Sequence, residues 1–237
     1  MRRRINALVV AAGLVAMVTA PDARAASVRV DGGRTSVALD PAALAAAGLT
    51  VSGVSGGTQS PGDLPDSVAF PVTPRDGAER PTTFTYDPAD FLGTFSGTIE
   101  HQGSVLFNDG SIEAGDFTIG FDAARAGTLG GAASGFYVRS NAGLDATLFD
   151  VAAPDALSAG ESALTIDADL LVSPEFAALL RNAGLATADL TGADAGDARV
   201  SATANAVPIP APAALGVVGL GIVGFALRRL KRAARTV

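Results

Sequence analysis

The 237-residue chain contains no cysteine and no tryptophan, a single histidine (His101), a single lysine (Lys231) and two tyrosines (Tyr86 and Tyr137). Without cysteine there is neither a disulfide nor a thiol nucleophile, so any folded domain rests on its apolar core and strand pairing. One histidine and no cysteine leave no ligand set for a structural zinc site. Positive charge is scarce wherever the chain is not terminal. Between Ala26 and Ala206 there are eight arginines against 23 acidic residues, a net charge of −15. Such a surface repels phosphate backbones and anionic lipid, which excludes nucleic acid as a partner.

The missing basic residues are gathered at the two ends. "MRRRINALVVAAGLVAMVTAPDARA" has a basic start at Arg2–Arg4, an apolar run from Ala7 to Ala20, and an A-x-A site at Ala23 and Ala25. This is the pattern of a secretory signal peptide spanning 1–25, with Ala26 as the first mature residue and the Sec route expected. At the other end, "VPIPAPAALGVVGLGIVGFALRRLKRAARTV" runs from Val207 to Val237. Its 17 residues from Ala211 to Leu227 carry no charge, the short end of the span a transmembrane helix needs. Arg228, Arg229, Lys231, Arg232 and Arg235 follow at once. Basic flanks stay cytoplasmic, so the helix is expected with its C-terminus inside and the domain before it outside.

Val207, Pro208, Pro210 and Ala211 in "VPIPA", the Gly-rich apolar stretch and "RRLKR" resemble the PEP-CTERM class of bacterial sorting signals, in its VPLPA-type variant. Ile209 stands where that variant has leucine, and no glutamate separates the prolines. The resemblance covers about 30 of the 237 residues. It implies a Gram-negative exported protein, held transiently in the inner membrane, processed by an exosortase-like membrane peptidase after signal peptidase, and delivered to the cell surface or outside. Exopolysaccharide or other surface components would then be its partners. Proline fits the task physically, because it keeps 207–212 extended and out of the helix.

The domain at 26–206 reads as β. Twelve short segments alternate apolar and polar residues between turn signals: "SVRV", "SVALD", "LTVSGV", "SVAFPVT", "TTFTY", "FSGTIEH", "SVLFN", "FTIGF", "GFYVRS", "ATLFDV", "ALTIDADLLV" and "ARVSATA". Phe95, Gly97, Ile99 and His101 fall on one face of their strand, and Phe117, Ile119 and Phe121 on one face of theirs. "NDG" at Asn108–Gly110 and "DG" at Asp76–Gly77 are hairpin-type turns. Asp40-Pro41 with Gly48, and Ser173-Pro174 with Gly184, frame two short helices of similar design, at Pro41–Ala47 and Pro174–Ala183. The expected architecture is mainly β, a β-sandwich or partly closed barrel with two short helices, flanked by the signal peptide and one transmembrane helix.

"SVAFPVT", "GTIEHQGSVLF", "GDFTIGFD", "ATLFDV" and "LTIDADLLVSPEFAALL" together resemble a type of bacterial secreted β domain, and "GTIEHQGSVLF" is similar to the glycine-histidine strand of HtaA-type haem-uptake domains. That resemblance implies haem contacts at His101 with Tyr86 or Tyr137, although the Trp-Gly stretch of those domains is absent. The residues alone favour His101 at a strand end, bonded to backbone. Ser55 in "GVSGG" fits G-x-S-x-G but opens a Gly/Ser/Pro-rich loop, not the strand–turn–helix of a nucleophile elbow. Asp167 and Asp169 share a strand face, a routine occurrence among 23 acids, and "TGADAGDAR" offers loop carboxylates to calcium without an EF-hand pattern. No cofactor, metal or catalytic residue is therefore expected. The reading is an exported, non-catalytic surface or matrix protein; the alternative is a haem- or small-molecule-binding module of the same topology.

Mass spectrometry of the mature protein is expected to find a start at Ala26 and an end near Pro208–Ala213. An intact "RRLKRAARTV" terminus on most molecules would rule out cleavage of the tail.

Overall fold

The computed structural model describes residues 27–207. The signal peptide at 1–25, the cleavage residues Ala23, Ala25 and Ala26, the sorting residues beyond Val207, the apolar run 211–227 and the basic cluster 228–235 lie outside the described residues. Among the described residues no helix is long and apolar enough to cross a membrane.

The described segment is mainly β, with 47% of its residues in strands. In order come β1 (Val28–Leu39), helix α1 (Pro41–Ala46), β2 (Val51–Ser55), β3 (Val68–Pro71), β4 (Thr85–Tyr86) and helix α2 (Phe91–Thr94). There follow β5 (Ile99–Glu100), β6 (Ser104–Phe107), β7 (Ile112–Gly115), β8 (Thr118–Phe121), β9 (Ala133–Ser140) and β10 (Ala142–Gly143). The last are β11 (Ala146–Ala152), β12 (Ala156–Ala159), β13 (Ala163–Val172), helix α3 (Pro174–Asn182) and β14 (Asp194–Ala206). Ten strands form one sheet along the path β3-β1-β14-β13-β11-β9-β8-β5, with β12 added at β13 and β4 at β1. It curls into a half-barrel. A second sheet, β10-β7-β6-β2, has four strands. Every pairing is antiparallel.

The curl originates in bulges, which bend a strand and raise its local twist. In β1 the register against β14 slips between Val30 and Gly32. Before the slip Val28 and Val30 point into the core; after it Thr35, Val37 and Leu39 do. One strand thus changes its inward parity and serves two apolar clusters. The first gathers Leu49, Phe70, Val105, Phe107, Leu148, Leu170, Val172 and Phe176. The second gathers Val28, Val30, Phe84, Tyr86, Phe91, Ile99 and Leu164. β14 makes the matching adjustment at Gly196, where its inward set passes from Ala195 to Ala198 and Val200.

"SVRV" and "SVALD" are therefore one continuous strand, joined through the bulge. Three strands carry no alternation strong enough to be read in advance: β7, β10 and β12. The Asn108–Gly110 turn does close the β6–β7 hairpin, with all three residues at positive φ. The Asp76–Gly77 turn does not make a hairpin, because β3 and β4 both pair with β1 and not with each other. Both expected helices form. Asp40 accepts from the amides of Ala42 (2.5 Å) and Ala43 (3.0 Å), and Ser173 from that of Phe176 (3.1 Å). Both end alike: Leu49 N–H donates to Leu44 O and Leu185 N–H to Leu180 O, each at 2.9 Å. The four-residue α2 was not expected, since it contains Gly93 and Thr94 and spans one turn. Val28 faces Ala206, and Val207 N–H donates to Ser27 O at 2.9 Å, so the two ends of the domain lie side by side.

Gly33 sits at φ +117, and a Cβ there would lie 2.3 Å from Ser201 O and 2.6 Å from Ala202 Cα. Gly33→Ala is expected to cost more than about 3 kcal/mol, because both conformation and backbone contact oppose it. Gly77→Ala, at φ +78 with open space around it, is expected to cost about 1 kcal/mol. Urea denaturation of the two variants checks the ordering; equal costs would contradict the role given to the bulge.

Candidate functional site

The concave face of the large sheet is apolar along its whole length, and it does not pack shut. Between the two clusters lies a cavity of about 440 Å³. Its walls come from alternate residues of the long strands, among them Val37, Ile119, Val138, Phe149, Leu170 and Ala198. Val105 and Phe107 of the second sheet close one side, and α1, α2 and α3 contribute Leu44, Phe91 and Phe176. Among the described residues, only Thr35, His101 and Ser134 bring side-chain polar atoms to this lining.

Linked aromatic rings form one flank. Phe84 adjoins Phe91 and Phe95, Phe95 meets Phe121 and Phe136 with centroids 4.9 Å apart, and Phe121 meets Phe136 at 5.2 Å. Two lining residues on this flank are open to solvent: Leu92 of α2 is 72% exposed and Phe121 is 41% exposed. They mark the mouth.

His101 follows β5 and is 4% exposed. Its Nδ1 lies 3.1 Å from Phe117 O and its Nε2 2.8 Å from Thr35 Oγ1. A carbonyl only accepts, so Nδ1 carries the proton, and Nε2 accepts from the Thr35 hydroxyl. Burial holds the imidazole neutral, with its pKa lowered to about 4. The ring thereby ties β1 to the strand end at Phe117.

The two tyrosines do not join it. Tyr86 is buried in the second cluster and donates its hydroxyl to Gly160 O at 2.7 Å; burial raises its pKa. Tyr137 lies on the other face of β9, under the Arg125 guanidinium, 5.8 Å from the ring centroid. Neither lines the cavity. Haem, which the resemblance of "GTIEHQGSVLF" implies, needs an axial donor with a free lone pair. Both nitrogens of His101 are committed and neither tyrosine lines the cavity, so the residues present do not fit haem. The structure does not bring His101 together with Tyr86 or Tyr137.

The remaining candidates are also dispersed. Ser55 ends β2, exposed and followed by the Gly56–Gly57 turn instead of a helix. Asp167 is clamped by Arg199 at 2.7 and 2.8 Å, which lowers its pKa. Asp169 is raised instead, by burial first and then by Asp155, Asp194 and Asp197. In "TGADAGDAR", Asp194 accepts from Gly196 N–H at 2.9 Å. Among the described residues, no three acidic or histidine side chains are placed to hold a metal ion.

Two features were not foreseen. Each of the eight arginines at 27–207 meets a carboxylate. Arg125 meets two: it donates to Asp150 at 2.8 Å and to Glu175, pinning the β8–β9 loop against β11 and the start of α3. Asp150 is 1% exposed and its Oδ2 has no partner; burial raises its pKa against the pull of Arg125. No spacing rule in the sequence links residues 125, 150 and 175.

No family model matches the chain, and no curated protein does. Among solved structures it is similar to the C-terminal domain of HtaA from Corynebacterium glutamicum, at 14% identity and a TM-score of 0.43, over 75% of this chain and 99% of that one.

The buried neutral His101 makes stability depend on pH. Its folded pKa of about 4 lies below the ordinary 6.5. Between those values the unfolded chain binds a proton that the folded one refuses, so this contribution is complete above pH 6.5 and is lost as pH falls toward 4. The expected loss is about 3 kcal/mol. His101→Gln keeps a donor and an acceptor but does not titrate, so the stability gap between wild type and variant is expected to narrow or reverse from pH 7.5 to 4. A gap constant with pH, by urea titration, would contradict a buried neutral imidazole.

Proposed function

We propose that this is an exported, non-catalytic protein of the cell surface or extracellular matrix, and that its β domain holds a small apolar molecule inside the curled sheet. The export and sorting parts of this reading rest on the sequence of the two ends, 1–25 and 207–237. The binding part rests on one observation: the interior keeps a cavity of about 440 Å³ with an apolar wall and a solvent-exposed rim at Leu92 and Phe121. Interiors are ordinarily packed to crystal density, with few voids larger than a water molecule. An apolar hollow of this volume lies within the range of small-molecule pockets.

The chemistry of the wall supports binding over catalysis. Among the described residues the lining holds no charged side chain and no free donor to steady an oxyanion: Thr35 donates to His101 Nε2 at 2.8 Å, His101 Nδ1–H to Phe117 O and Ser134 to Val151 O. Discrimination would come from shape and from exclusion of water.

The neutral fluorophore 1-aminoanthracene is expected to bind the purified full chain one to one, with a blue-shifted emission. Ala198→Phe, which projects a ring into the cavity from the middle of β14, is expected to reduce binding by more than about tenfold while leaving the melting temperature within a few degrees. Binding that survives this substitution would place the probe elsewhere and overturn the reading.

A further inference from the structure

The lining decides more than the presence of a ligand. We infer, resting on the binding reading above, that the ligand is uncharged and rich in hydrocarbon, of the class of long-chain alcohols or similar neutral lipids, and that carboxylates and other anions are refused. The reason is an inventory of donors. An anion taken out of water needs hydrogen-bond donors or a cation to replace its hydration. Among the described residues, the wall contains no arginine, lysine, asparagine, glutamine, tryptophan or tyrosine. Its three polar side chains have spent their protons: His101 Nδ1–H on Phe117 O, Thr35 on His101 Nε2 and Ser134 on Val151 O. Ser134 Oγ also accepts from the amide of Phe136 at 3.2 Å.

What the wall retains is acceptor capacity. Thr35 Oγ1 donates once and keeps lone pairs, so the polar group best matched to the interior is a ligand hydroxyl, which can donate. Outside, among the described residues, no free counter-charge is on offer either. All eight arginines of the described segment are paired with carboxylates, and the surplus of charge on 26–206 is −15. An anion is therefore disfavoured on approach as well as inside. A hydrocarbon chain meets no such cost, and the exposed Leu92 and Phe121 give it an apolar threshold.

The test uses two competitors with the same chain and different heads. At pH 8, 1-decanol and decanoate are titrated against 1-aminoanthracene bound to the full chain. Decanol is expected to displace the probe at a concentration at least about tenfold lower than decanoate, since one isolated buried charge outweighs that margin. Ser134→Lys, which adds a donor and a positive charge to the lining, is expected to shift the ratio of decanoate to decanol displacement about tenfold or more in favour of decanoate. Should that variant fail to fold, the wild-type comparison decides alone. Equal displacement by the two competitors, with Ala198→Phe still blocking the probe, overturns the exclusion of anions and leaves the binding reading standing. Failure of 1-aminoanthracene to bind overturns both.

Discussion

Ten strands in one antiparallel sheet must either twist open or bend around, and here the bend is set by the bulge in β1. A residue inserted between Val30 and Gly32 turns the inward face from even to odd positions. Val28 and Val30 then serve one cluster while Val37 and Leu39 serve the other. The two clusters stay distinct, each served by one of the two inward parities of β1. What lies between them is the cavity, so the hollow is a consequence of how the sheet curves and not of a missing side chain. Gly33 and Gly196, both held against opposing backbone at positive φ, are the points at which β1 and β14 permit that geometry.

Charge is organised around the same division. The outside is acidic, and its arginines are dispersed as local pairs with carboxylates instead of collected into a patch. The cavity wall is neutral down to its one histidine, which burial keeps unprotonated and which bonds β1 to the Phe117 carbonyl. A protein without disulfides gains rigidity here from such buried links, the Arg125 fork to Asp150 and Glu175 being another. These polar contacts fix the frame. Among the described residues they leave the cavity lining without a charged group.

Much of this frame was legible in the chain. The alternation of Phe95, Ile99 and His101, and of Phe117, Ile119 and Phe121, identifies side chains that do line the cavity. Asp40-Pro41 and Ser173-Pro174 mark the starts of α1 and α3, because capping is local chemistry that needs no tertiary partner. Thr35 was missed because it lies between two segments read as separate strands, and only the bulge joins them. Glu100 sits on the face opposite Ile99 and reads as exposed, yet it is buried beneath Arg80 and Thr118, a contact made across long stretches of chain. The tyrosines were grouped with His101 by residue type; Tyr137 alternates with the lining residues Phe136 and Val138 onto the other face of β9, whereas the place of Tyr86 in the second cluster follows from strand order.

The most direct test of the account is whether the interior is an open, dry space. Dry apolar cavities take up xenon, whereas collapsed or wet ones do not. A crystal of the mature protein under xenon pressure is predicted to show anomalous density between the two clusters, within van der Waals reach of Phe149, Ile119 and Val138. Continuous side-chain packing there, or a chain of ordered waters in place of xenon, would contradict it.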